Sequence, residues 1–239
     1  MTTERVLVHA GIADSRMYAQ QLRTLAPARA LDLPGFGTEP LESQTVDYRQ
    51  FVRDRLQGEP VTLIGTSLGG AVALELALET PERVAALVLV GPGLDGHEWS
   101  DEVRSSWDEE EKAFERGDLD AAVEANLRVW LPDDVDPDVR ALVAVMQRNA
   151  FELQAGYDDL QTKRLEPPAS ARLAEVGVPT LVVTGDEDVR DIHEIADKLA
   201  AGIPGAERAT IAGSGHLPSL ERPDEFDAVV LAFLLEHGV

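Results

Sequence analysis

The stretch Gly65-Thr66-Ser67-Leu68-Gly69 follows an apolar, β-leaning run, Pro60-Val61-Thr62-Leu63-Ile64, and opens an alanine- and leucine-rich run that closes before Pro81. That order predicts a strand, a sharp turn and a helix from Leu68 to Glu79. Glycine on both sides of the turn lets strand and helix backbones crowd together where a Cβ would stand in the way. A serine at the tip of such a turn holds its hydroxyl clear of the strand, which makes Ser67 the candidate nucleophile. The five-residue pattern alone recurs by chance, so its weight comes from these flanks and from the partners that a serine needs.

A serine hydroxyl is a weak nucleophile unless a histidine takes its proton and an acid fixes that histidine's tautomer. Of the five histidines, His216 is the best base, because it lies in a small-residue loop, Gly213-Ser214-Gly215-His216-Leu217-Pro218, after the β-type run Ala209-Thr210-Ile211. His97, His193 and His237 sit among Asp, Glu or Gly on polar stretches and are expected to be solvated surface residues. For the acid, the buried-strand pattern Pro179 to Thr184 runs into Gly185-Asp186-Glu187-Asp188 and puts three carboxylates at a strand's carboxyl end. Open α/β sheets keep their chemistry at that end. Spacing alone does not choose between Asp186 and Asp188.

Over nearly all of its 239 residues the chain resembles the α/β-hydrolase superfamily, which has the chain order serine, acid, histidine. In that family the acid closes a G-x-x-D turn, which implies Asp188. The segment from Ile211 to Pro223 is similar to the family's histidine segment, whose tail opens the last helix. At the amino end, Val6-Leu7-Val8-His9-Ala10-Gly11-Ile12 resembles the strand-to-loop segment that helps build an oxyanion hole. The resemblance implies Gly11 N–H as one donor and Leu68 N–H, directly after the nucleophile, as the other. It also implies that His9 braces this loop. Ala10 departs from the family's preferred glycine, and glycine at position 11 leaves more room for an acyl group. Asp32-Leu33-Pro34-Gly35-Phe36-Gly37 matches a family turn, in which Asp32 pairs with nearby backbone or arginine and takes no part in proton transfer.

Four further apolar runs read as parallel strands buried on both faces: Val6 to His9, Arg29 to Asp32, Ala85 to Val90 and Ala209 to Ile211. The fold expected is an α/β-hydrolase core, a mostly parallel sheet flanked by helices. The strand ending at His9 lies too near the start for the family's opening antiparallel hairpin, so the Arg29 to Asp32 strand becomes an edge, protected by Pro27 and a charge or covered by a dimer partner. From residue 94 to 166 strand patterns stop and a charged, helical stretch begins. This predicts a helical cap over 94–166 between core segments 1–93 and 167–239. All three tryptophans, Trp99, Trp107 and Trp130, fall in it. They pack the cap onto the core, or some of them line an apolar pocket for the acyl or alcohol part of a substrate. The acidic run near Glu110 reads as a solvated helix face.

The formal net charge of −23 argues against nucleic acid and anionic membrane surfaces as partners. The amino terminus carries no secretion-signal pattern and no apolar run is long enough to span a bilayer, so the cytoplasm is the default location. With no cysteine, disulfides, thiolate metal sites and a cysteine nucleophile are excluded. No P-loop, H-E-x-x-H or dinucleotide fingerprint is present, and no cofactor or metal is implied. The expectation is a monomeric or homodimeric serine hydrolase of a small-molecule ester or lactone. Thioesterase, C–C bond hydrolase or perhydrolase chemistry on the same residues is the alternative, and a non-catalytic ligand-binding protein a further one.

Overall fold

The chain alternates short apolar strands with helices, in chain order β1 (Arg5–Val8), β2 (Ala28–Leu31), β3 (Thr45–Val46), β4 (Val61–Thr66), β5 (Val84–Val90), β6 (Gln161–Thr162), β7 (Thr180–Gly185) and β8 (Glu207–Ile211). The helices are α1 (Gln21–Thr24), α2 (Tyr48–Arg55), α3 (Leu68–Glu79), α4 (Asp101–Glu115), α5 (Leu119–Trp130), α6 (Pro137–Gln154), α7 (Arg190–Gly202), α8 (Pro218–Glu221) and α9 (Pro223–His237). The computed structural model describes residues 3–157 and 160–239. Met1 and Thr2, and residues 158 and 159 of the expected cap, lie outside the described residues.

Six strands form one sheet in the order β2-β1-β4-β5-β7-β8, and every pairing in it is parallel. Parallel strands need both faces covered, and the central ones are: Leu63, Ile64 and every residue from Ala86 to Val90 are fully buried. Each of the leucine, isoleucine and valine side chains among them contributes about 1.5 to 3 kcal/mol of burial free energy. Among the described residues the sheet has no antiparallel strand, and β2 forms its edge as expected. The expectation that β2 and β8 are buried on both faces is corrected. They are the two edges and are mostly half-buried, because a sheet edge has a neighbour on one side only. Arg29 of β2 reaches Glu4 at 3.0 Å and Arg208 of β8 reaches Asp197 at 3.0 Å, charges that discourage pairing with another chain.

Helix α3 spans the residues expected of it and is buried nearly all round, because it packs against β1, β4 and β5 of the sheet and against α2. Between β5 and β7 the chain leaves the sheet for α4, α5 and α6. Ser100, Asp118 and Asp136 cap the three helices by accepting from Val103, Ala121 and Asp138 N–H. Ion pairs Glu109–Arg128, Glu124–Arg140 and Asp120–Arg148 join neighbouring helices. Val103, Val143 and Met146 from these helices are fully buried in the same apolar cluster as the sheet residues.

One element in this stretch escaped the sequence reading. Strand β6 pairs in parallel with β3, Thr45 opposite Gln161 and Val46 opposite Thr162. A two-residue strand is too short to carry the period-two pattern by which strands are recognised. Its effect is to tie the end of the helical segment to the core.

Candidate active site

The site forms where β4 turns into α3. Ser67 has φ +52°, the only non-glycine residue with positive φ among the described residues, a conformation that costs on the order of 1 kcal/mol or more and concentrates at functional turns. The turn is tight enough that the flanking glycines are obligatory. A Cβ on Gly65 would sit 2.2 Å from Gly69 O, and one on Gly69 would sit 2.1 Å from Val8 O. Ser67 N–H donates to Val90 O at 2.9 Å and Gly69 N–H to His9 O at 3.1 Å, which fixes the turn between β1 and β5. Beneath it, Tyr18 OH donates to Val8 O at 3.1 Å and pairs with Thr66 Oγ1 at 2.7 Å.

His216 and Asp188 meet at the carboxyl ends of β7 and β8. Their side chains are 2% and 1% exposed, and Nδ1 of His216 lies 2.9 Å from Asp188 Oδ2. A carboxylate only accepts, so Nδ1 carries the proton and Nε2 keeps its lone pair. Asp188 Oδ1 accepts from Val189 N–H at 2.8 Å. Asp186 plays a different part: exposed at the turn, it accepts from Gly213 N–H at 2.7 Å and thereby shapes the loop that carries His216. Ser67 and His216 line one cavity of about 390 Å³. No hydrogen bond joins Ser67 Oγ to the imidazole, and such bonds are often long before substrate binds.

Gly11 and Leu68 stand side by side in the same cavity wall, a Cβ on Gly11 falling 3.9 Å from the Leu68 Cβ. Neither N–H has a partner among the described residues. The Leu68 N–H opens α3, where helix geometry leaves it free. His9 is fully buried behind them. Its Nε2 accepts from Leu33 N–H at 2.9 Å, so Nδ1 carries the proton and donates to Ala10 O at 2.8 Å. Burial holds its pKa below the ordinary histidine value, and a neutral ring is what these two bonds need. Asp32 accepts from Ser15 N–H at 2.8 Å and Thr38 N–H at 2.9 Å. Burial would raise its carboxyl, but those bonds outweigh it and hold it below the usual range.

All three tryptophans line the cavity. Trp130 also packs on the His216 ring, centroids 4.4 Å apart, and its carbonyl accepts from His216 N–H at 3.2 Å. Trp99 packs edgewise on Trp107, 5.2 Å between centroids. Two expectations are corrected. His97 is no solvated residue: its side chain is 12% exposed, with Nε2 3.0 Å from Asp191, because α7 brings that carboxylate to the start of α4, where it also accepts from Ser100 N–H. Glu110 turns inward from its acidic helix to line the cavity, where Asn126 Nδ2 donates to it at 2.7 Å. His193 lies partly buried on α7, its ring without a hydrogen bond among the described residues, and exposed His237 pairs with Glu207 at 2.6 Å.

Sequence reasoning missed Glu221. Its carboxylate accepts from Gly215 N–H and Leu217 N–H, both at 2.7 Å, and so clamps the backbone on either side of His216. Burial raises its carboxyl, against the pull of those two bonds and of His216. A carboxylate five places after the histidine, at the end of a short helix, was the available signal.

A model of the alpha/beta hydrolase family matches residues 6–229. The chain is 28% identical to a pimeloyl-[acyl-carrier protein] methyl ester esterase of Nitrosomonas europaea, over 92% of this chain and 88% of that protein. It is 32% identical to a 2-hydroxy-6-oxononadienedioate/2-hydroxy-6-oxononatrienedioate hydrolase of Comamonas testosteroni, over 76% of this chain and 65% of that protein. Among solved structures it resembles the enol-lactonase of Burkholderia xenovorans, TM-score 0.80 at 21% identity, with 98% of this chain and 92% of that chain covered. The match along nearly its whole length, on the sheet, turn and loops described above, places this chain in the α/β-hydrolase family.

Proposed function

We propose that this protein is a serine hydrolase that cleaves a small carboxylic ester or lactone through an acyl-enzyme on Ser67. The observation that carries the reading is the buried Asp188–His216 pair, 2.9 Å long, opening on the same cavity as a serine held in a strained turn. In this mechanism Nε2 of His216 takes the Ser67 proton as Oγ attacks the ester carbonyl. The C=O electrons move onto oxygen, and the N–H groups of Gly11 and Leu68 stabilise that charge; one such donor contributes about 3 to 4 kcal/mol. Collapse breaks the bond to the alcohol, which leaves with the proton from His216. Water, deprotonated by the same imidazole, then attacks the acyl-enzyme and restores Ser67 while releasing the acid. Asp188 keeps Nδ1 protonated throughout, and Trp99, Trp107 and Trp130 supply apolar wall to the substrate.

The esterase named among the relatives supports ester cleavage. Hydrolysis of an oxo-dienedioate, the activity named for the Comamonas relative, fits less well. A substrate with two carboxylates needs cations, and among the described lining residues Arg164 is the only one, paired with Asp95 at 3.7 Å and sharing the cavity with Glu110. The test is turnover of an activated ester by Ser67→Ala and by His216→Ala. Each should fall more than about a hundredfold with the fold intact, since losing a triad member costs far more than that. Retained turnover would sink the proposal.

A further inference from the structure

The cap wall of the cavity holds polar groups for which the mechanism has no use. Gln147 on α6 is 4% exposed and lines the cavity, yet its amide makes no hydrogen bond among the described residues; Oε1 is shut away without a partner. Asn126 on α5, also 4% exposed, spends Nδ2 on Glu110 and on Ala122 O, while its Oδ1 has no partner among the described residues. Folding almost always pairs buried amides. An amide left bare in a cavity wall is ready for a ligand, and a half-turn about its last torsion presents either the oxygen or the NH₂ at nearly unchanged volume. Around these groups the wall is apolar, built from Trp99, Trp130 and Phe151.

We infer that Gln147, Asn126 and Glu110 form a polar subsite for an uncharged group that both donates and accepts, a hydroxyl or an amide, carried on an otherwise apolar ester. This rests on the ester-hydrolase reading of the same cavity. A carboxylate on the ligand would face Glu110 and Asp95 with one paired arginine to offset them. An ammonium could take the oxygens of the two amides but carries no acceptor, so the Gln147 NH₂ would stay unpaired. A hydroxyl or amide can meet the Gln147 amide and the free Asn126 oxygen together.

The experiment compares nitrophenyl butyrate with its β-hydroxy counterpart, for the acyl side, and pentyl butyrate with its ω-hydroxypentyl counterpart, for the alcohol side. Carboxamide counterparts tell the two uncharged groups apart. The wild-type enzyme should prefer the polar member of one pair by about tenfold or more in kcat/KM, as sites built to hydrogen-bond a substrate do. In Gln147→Leu that ratio should fall to within about threefold, as expected when one hydrogen bond is lost. No preference in either pair, or a ratio that survives Gln147→Leu, overturns the subsite. Calorimetric titration of Ser67→Ala with the same pairs reads the preference as a ratio of Kd values without turnover. Ester turnover without preference rejects the subsite and leaves the hydrolase; binding preference without turnover rejects the hydrolase and leaves the subsite.

Discussion

Replacing Glu221 by glutamine keeps the size of the side chain and removes half of what it does. Its two oxygens each accept a backbone N–H at 2.7 Å, from Gly215 and from Leu217, in a site where the residue is 8% exposed. Hydrogen bonds to a charged group contribute about 1.5 to 3 kcal/mol each. Glutamine keeps one acceptor at ordinary amide strength and turns its NH₂ against the other N–H, leaving that donor buried and unpaired at about 1 to 3 kcal/mol. The sum is a loss of about 2 to 4 kcal/mol, read from the urea midpoint at unchanged slope. The His216 N–H still bonds Trp130 O at 3.2 Å, so the loop relaxes and does not come free. Misplacement of a base on the ångström scale can cost about a hundredfold. We therefore expect kcat, counted per site titrated with an active-site probe, to fall ten- to a hundredfold while KM changes little. A stability change below about 0.5 kcal/mol together with unchanged kcat would refute the clamp, since surface carboxylates behave that way.

The acid assignment separates two neighbours. Asp188→Asn should cost about 10⁴ in turnover by favouring the wrong tautomer of His216, while Asp186→Asn, which touches only the Gly213 turn, should cost far less; the reverse ranking would move the acid two places earlier. Gly69→Ala must push a Cβ into Val8 O at 2.1 Å, and should lose about 2 kcal/mol or more, whereas Gly93→Ala meets nothing within 4 Å and should be nearly neutral to denaturant. Burial pushes the Glu75 carboxyl up to about 7 from its usual 4.5, against Arg49 at 3.2 Å. A carboxyl raised on folding binds its proton more tightly in the folded state, so its contribution is whole below about pH 4.5 and is lost as pH rises through about 7. Glu75→Gln should therefore flatten the decline of stability over that window, and an unchanged slope would contradict the shift.

The parts of the site that lie along one stretch of chain were legible in advance. The turn at Ser67 announces itself because strand, glycines and helix are contiguous, and α3 begins and ends where its composition changes. The brace at His9 was legible only through the family resemblance, since its bond to Leu33 spans 24 positions. What escaped depends on packing between distant segments. His97 looks solvated until α7 delivers Asp191 from 94 positions away. Glu110 sits in a run of acids whose faces are distinguished only by where α5 and α6 pack. Strand β6 carries no pattern of its own and exists because β3 is there to receive it.

Acyl transfer through the Ser67 hydroxyl leaves a mark that covalent labelling can read. The protein is treated with a fluorophosphonate, digested, and its peptides mapped by mass spectrometry while residual ester turnover is followed in parallel. One adduct is expected, on Ser67, with turnover lost in proportion to its occupancy and no labelling of Ser67→Ala. Label on another residue, or full turnover with Ser67 modified, would contradict it.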